Sequence, residues 1–168
     1  MEPIFKRKSI RAFTGEPVEK EVVEELLHAG MSAPSAGNER PWEFIVTQKR
    51  KNLDYLSGIS PYAGALKTAG TAVVVLGDLQ KEKFKGYWVQ DCAAATENIL
   101  IAATAHKLGS VWLGVYPMQE RIDFLRKFYS LPSHITPFAI VALGYISENL
   151  EAKDRYSAER VHFEGFSG

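Results

Sequence analysis

The chain has 168 residues, with 20 Lys and Arg against 20 Asp and Glu and a formal charge of zero. It lacks the net basic character of proteins that track phosphate backbones, so nucleic acid is not expected as a partner. Hydrophobic residues make up 46% and charged residues 24%, which excludes a disordered polymer and suffices for one folded domain, expected to span 1–168. A single cysteine, Cys92, leaves no internal disulfide and no cysteine-based metal site, as suits a reducing cytosol.

The opening MEPIFKRKSIRAF lacks the apolar core of a signal peptide, and the longest apolar run, near Ile99–Ala105, is too short to span a bilayer. A soluble, cytoplasmic protein with no membrane partner is the expectation. Within FKRKSIRAF four cations (Lys6, Arg7, Lys8 and Arg11) are concentrated in a neutral chain. An extended backbone would set Arg7, Ser9 and Arg11 on one side and Ile10 on the other. That side is rich in donors, and arginine forks match phosphate oxygens. Taken alone, however, such a run is ordinarily a solvated terminus.

Residues 18–33 place Val22, Val23, Leu26, Leu27 and Gly30 at helical spacing, with glutamates opposite. APSAGNERP, residues 33–41, is loop by its Pro, Gly, Ser and Asn content. Its small residues Ser35, Ala36 and Gly37 permit close backbone approach to a flat ligand, and Asn38 offers both donor and acceptor. WEFIVT (42–47) reads as a strand, 49–69 as helix in pieces, and GTAVVVLGD (70–78) as a strand buried on both faces. Residues 88–108 form a long helix, apolar on most of its circumference, fit for the centre of a domain or of a dimer interface. A strand at 109–117, an amphipathic helix at 119–131 and a core strand at 137–146 complete the regular elements. The tail from 147 has no core periodicity but is rich in Arg, Tyr and Phe, as a segment that wraps something would be. Four strands separated by helices give an α/β or α+β sandwich, with strand order left open.

Several chemical signatures are missing. No G-x-G-x-x-G follows a strand, GALKT lacks the earlier glycine of a phosphate loop, and no G-x-S-x-G occurs. The histidines 28, 106, 134 and 162 show no ligand-like pairing, so no metal is expected.

RKSIRAF, APSAGNERPWEFIV, GSVWLGVYP, PFAIVALGY and KDRYSAERVH, in that order over essentially the whole chain, resemble the nitroreductase family of FMN-dependent oxidoreductases. The resemblance implies an α+β fold with a central mixed β-sheet flanked by helices, in an intertwined homodimer with FMN at the interface. It implies NAD(P)H as a transient co-substrate and two-electron, ping-pong reduction of a small acceptor such as a nitroaromatic or quinone. Relatives with the same fold perform dehalogenation, dehydrogenation or flavin fragmentation, and a non-catalytic FMN-binding protein is a further alternative. By the resemblance, Arg7, Lys8, Ser9 and Arg11 hold the FMN phosphate, ribityl chain and ring edge, with Arg11 near N1 and the C2 carbonyl. A cation there would stabilise charge placed on N1 by reduction. Pro34, Ser35 and Ala36 would come from the partner subunit and lie against the isoalloxazine, Asn38 would contact the cofactor, Leu113 and Gly114 would approach N5, and Lys153 and Arg155 would close over the phosphate. No side chain is implied as an obligate catalytic acid or base. Arg40 stands where the family commonly has glutamine. Phe84, Tyr87 and Trp88 are candidates for a substrate wall, with core packing as the alternative; Glu97 and Asn98 are expected to pair across the dimer, with contact to a substrate as the alternative, and Cys92 to be a small buried hydrophobe.

Overall fold

The computed structural model describes residues 1–147 and 151–166. Four strands form one sheet: β1 (Trp42–Thr47), β2 (Thr71–Asp78), β3 (Gly109–Gly114) and β4 (Ile135–Gly144), in the order β1-β2-β4-β3. All three pairings are antiparallel. Among the described residues the parallel component is one bridge between Ser9 and Ser110, through which the N-terminal segment joins the sheet beside β3. Between Val75 and Leu76 the register of β2 on β4 slips, because Pro137 and Ala139 pair with adjacent residues and Phe138 is the extra one. Proline has no N–H to give to the ladder, so a bulge is the natural place for it.

Alternation along β2 sorts the core into two layers. Val74 and Leu76 face Leu53, Leu56, Leu66, Ile122, Leu125 and Ile140 on one side. Val73 and Val75 face Leu26, Trp88, Cys92, Ile99, Val141 and Leu143 on the other. Both sides of the central strands are therefore apolar, which explains the run of uninterrupted hydrophobes.

Helix α2 (Lys20–Met31) and helix α4 (Trp88–Ala105) cover the second side. Asn98 Nδ2 donates to Ala29 O at 3.0 Å and ties the two together. On α4, Cys92, Ala95, Thr96, Ile99 and Ala103 are buried, whereas Ala93, Ala94, Glu97, Ile101 and Ala102 are half-exposed. The opposite layer holds α3 (Arg50–Leu56), 3₁₀ turns at Ser57–Ile59 and Gly64–Lys67, and α5 (Gln119–Tyr129). Arg50 staples the interrupted segment by donating to Asp54, to Ala69 O at 3.0 Å and to Leu66 O. Tyr55 stacks on Phe124 and Phe128, joining α3 to α5.

The N-terminal helix α1 (Glu2–Lys6) precedes an extended stretch. Its path depends on two glycines that face one another across β3 and β4, Gly109 and Gly144. A Cβ at Gly109 would lie 2.8 Å from Ile10 Cγ2, and one at Gly144 would lie 3.1 Å from the Phe13 ring. Absence of those two side chains lets Ile10 and Phe13 seat directly on the ladder. The described tail, 151–166, is mostly exposed and contains a single 3₁₀ turn, Ala158–Arg160; the start of the tail, 148–150, and residues 167 and 168 lie outside the described residues. No helix among the described residues is long and apolar enough to cross a membrane.

Candidate functional site

The cationic run is neither wholly helical nor free. Helix α1 stops at Lys6, and Arg7 adopts φ −59°, ψ 130°. The chain then extends, Ile10 N donating to Ser110 O at 2.9 Å while the Ile10 side chain is buried. Anchoring Ile10 inward fixes which way its neighbours face. Arg7, Lys8, Ser9 and Arg11 line a concavity of about 510 Å³ together with Glu151, Lys153 and Arg155. Both ends of the chain thus meet there, and five cations (Arg7, Lys8, Arg11, Lys153, Arg155) face one lining carboxylate. Arg7 is further oriented by α4, its Nε lying 3.2 Å from Glu97 Oε1. A neighbouring hollow of about 660 Å³ shares Arg7, Lys153 and Arg155 and has Ile4, Phe5 and Tyr156 as apolar walls.

Arg11 also lines a second cavity, about 570 Å³, at the end of β3. Leu113 and Gly114 form one wall, Ser60, Pro61 and Tyr62 lie in the facing turn, and Arg121 reaches in from α5. Arg121 Nη1 donates to Gly114 O at 2.8 Å. A Cβ at Gly114 would meet no atom within 4 Å, so the backbone there borders open space. The two cavities, joined through Arg11, offer cations and hydroxyls in one and a flat backbone wall in the other. That donor set fits a phosphorylated, planar ligand.

The third predicted group lies elsewhere. Gly37, Asn38 and Arg40 have φ of 52°, 55° and 45°, a left-handed conformation that is costly for Asn and Arg. Ser35 Oγ accepts from Arg40 N at 3.0 Å, and Ser35 O accepts from Asn38 N at 3.0 Å. Asp91, on the first turn of α4, accepts from Ala36 N at 3.0 Å. Glu39 accepts from Lys83 N at 2.5 Å and Phe84 N at 3.3 Å. Pro34, Ser35, Ala36 and Asn38 line neither of the cavities that contain Arg11. Asp91 and Glu97, which hold the loop and Arg7 respectively, are six residues apart on α4. Helical geometry separates them by about 9 Å along the axis and roughly 120° around it. Within one chain the loop and the cation cluster therefore occupy different faces of the same helix.

Other expectations are sorted by burial. Trp88 is core, packed edge-on against Tyr116 and Phe138, whereas Phe84 and Tyr87 are about half-exposed. Cys92 is fully buried, and burial pushes its thiol up to about 12. Within the chain, Glu97 pairs with Arg7 and Asn98 donates to Ala29 O. Sequence reasoning missed Arg121 and the 60–62 turn. Their positions follow from packing of α3 and α5 across the sheet, and no local pattern marks them. It also missed Glu39 and Asp91, acids that are buried in the structure but whose sequence positions, in a polar loop and at a helix start, carry no signal of burial.

The nitroreductase family model matches residues 4–60 and 59–145, and the chain belongs to the nitroreductase family. It is similar to a Clostridium acetobutylicum structure provisionally named an NADH oxidase, at 50% identity and a TM-score of 0.94, covering 98% of this chain and 99% of that one. A relative from Methanothermobacter thermautotrophicus, provisionally named NADH dehydrogenase/NAD(P)H nitroreductase, is 42% identical, with 98% of this chain and 86% of the relative covered. A Desulfovibrio desulfuricans structure, provisionally named a nitroreductase and solved in complex with FMN, is 31% identical with a TM-score of 0.84, covering 99% of this chain and 96% of that one.

Proposed function

We propose that the chain is an FMN-dependent oxidoreductase that takes electrons from NADH or NADPH and passes them to a small electron-poor acceptor, a nitroaromatic or quinone, with two copies of the chain completing each site. The observation that carries this is the meeting of Arg7, Lys8, Ser9 and Arg11 with Lys153 and Arg155 beside the open Gly114 backbone. FMN, when bound, supplies two-electron hydride acceptance and donation at its N5. The protein's part is to bind and to tune. Arg7, Lys153 and Arg155 would grip the phosphate through charge-assisted hydrogen bonds, and Ser9 would add a neutral donor. Arg11, common to both cavities, would stand at the ring edge and stabilise negative charge there. Arg121 holds the Gly114 carbonyl, fixing the peptide wall against which the ring would lie.

The separation of the 34–38 loop from the cations on α4 supports a second copy as its destination. The half-exposed stripe of Ala93, Ala94, Ile101 and Ala102 is the apolar surface that such a pairing would cover. NAD(P)H and acceptor would use the same open face in turn, which needs no dinucleotide fingerprint.

The purified protein is expected to be yellow, to elute as a dimer, and to bleach anaerobically with NADH or NADPH. Initial rates with a quinone acceptor should give parallel double-reciprocal lines. A folded preparation that stays colourless after incubation with excess FMN would sink the proposal, and converging lines would remove its ping-pong part.

A further inference from the structure

We propose that Glu39 and Asp91 hold a single proton between them, and that this shared proton is the latch positioning the 34–40 loop on α4. Both side chains are buried, at 6% and 4% exposure. Each has one oxygen engaged by backbone donors: Glu39 by the N–H groups of Lys83 and Phe84, Asp91 by that of Ala36. The other two oxygens, Glu39 Oε1 and Asp91 Oδ2, are enclosed and receive no donor from the protein. Ala36 brings the two acids together: its N–H donates to Asp91 Oδ1 at 3.0 Å, and its carbonyl accepts from the N–H of Glu39 at 3.0 Å.

Ionised carboxylates only accept, so two of them in contact cannot satisfy each other, and like charges at that range do not both persist out of water. One proton resolves this by converting one partner into a donor and leaving a single charge. Among the described residues no cation forms an ion pair with either acid. The 79–86 turn carries Glu82, a further negative charge, Lys83, whose Nζ donates to Gly37 O, Lys81, which pairs with Glu43 and Asp78, and Lys85, which is exposed. From the loop itself, Arg40 is exposed. Burial is the main cause that raises the Asp91 pKa; the Ala36 N–H opposes it, and Glu39 and Glu82 add to it.

The latch has strain to hold. Asn38 and Arg40 sit in left-handed conformations that persist only where surrounding contacts over-determine them. Ala36 on one side of Asn38 and Glu39 on the other are the points at which the loop is pinned, and both pins lead to Asp91.

The sign follows from linkage. The closed loop keeps a proton that an opened, hydrated pair releases from the ordinary carboxylate range, about pH 4. Closure is therefore firmest at low pH and weakens as pH rises toward the raised pKa of Asp91.

Infrared difference spectroscopy of the full chain, at a pH just above the ordinary carboxylate range, is expected to show a protonated-carboxyl C=O band that disappears in Asp91→Asn and in Glu39→Gln. Amide exchange at Ala36, Lys83 and Phe84, corrected for intrinsic rates, should lose protection by about tenfold per pH unit from roughly pH 5 upward. In Asp91→Asn the amide N–H donates permanently to Glu39, so protection there should be independent of pH; Glu39→Gln is the mirror test should that variant not fold. Absence of the band in wild type, or the same pH profile in wild type and in the folding variant, would overturn the latch. Its effect on flavin rests on the function proposed above. If retained FMN does not follow the pH course of the loop while band and exchange behave as stated, the loop–flavin assignment fails and the shared proton stands.

Discussion

Arg155→Ala is expected to weaken FMN binding through the phosphate alone. Arg155 shares the 510 Å³ concavity with Arg7, Lys8, Ser9, Arg11 and Lys153, and it is exposed, so its own removal disturbs no core packing. A hydrogen bond to a charged group contributes about 1.5–3 kcal/mol. The loss corresponds to roughly 10- to 150-fold in Kd. Titration of apoprotein followed by quenching of flavin fluorescence measures it, with riboflavin as the internal control because it lacks the phosphate. Riboflavin affinity should stay within about twofold, and the salt sensitivity of FMN binding should fall with the lost charge. Arg7→Ala should cost more, since it also strands Glu97, its partner at 3.2 Å, beside the incoming anion. Equal losses for FMN and riboflavin, or no loss for either variant, would refute the assignment of these cations to a phosphate.

Leu26→Ala, at a fully buried position between α2 and the sheet, should lower unfolding free energy by about 2–5 kcal/mol in urea denaturation. The Cys92 thiol, raised by burial to about 12, should ignore a maleimide in the native protein and react on unfolding. Because the unfolded thiol ionises near 8.5 while the native one keeps its proton, its contribution to stability is fully present below that pH and is lost as pH climbs toward 12. Gly70→Ala should sharply reduce Tm, since the new Cβ would stand 1.7 Å from Glu16 O, a backbone atom; Gly114→Ala, with nothing within 4 Å, should leave Tm in place and reduce flavin affinity instead.

The elements with a clear period were legible from the sequence. Alternation and β-branching marked β1, an unbroken apolar run marked β2, and the amphipathic pattern of 18–33 marked α2, because local side-chain placement alone decides those. Strand order was not legible: β4 sits between β2 and β3 through contacts 25 or more residues distant in sequence. The cations at 7–11 and 153–155 were read as one group from the family resemblance, and the fold brings them into one concavity. Their meeting depends on Ile10 seating over Gly109, which no window of sequence displays. Arg121 and the 60–62 turn escaped notice for the same reason, being brought to Gly114 only when α5 and the interrupted segment close over the sheet. Glu39 and Asp91 were hidden differently. An acid in a polar loop and another at a helix start look like ordinary surface residues until the structure shows both enclosed.

The cation cluster draws on residues 7–11 and on 153–155, with the whole sheet encoded between them. A growing polypeptide can complete all four strands before the last arginine has been added. On the proposed assignment, capture of a phosphorylated ligand at that place would be an act of the finished molecule, and a protease that clips the exposed 151–166 segment would abolish it while leaving a soundly folded body behind.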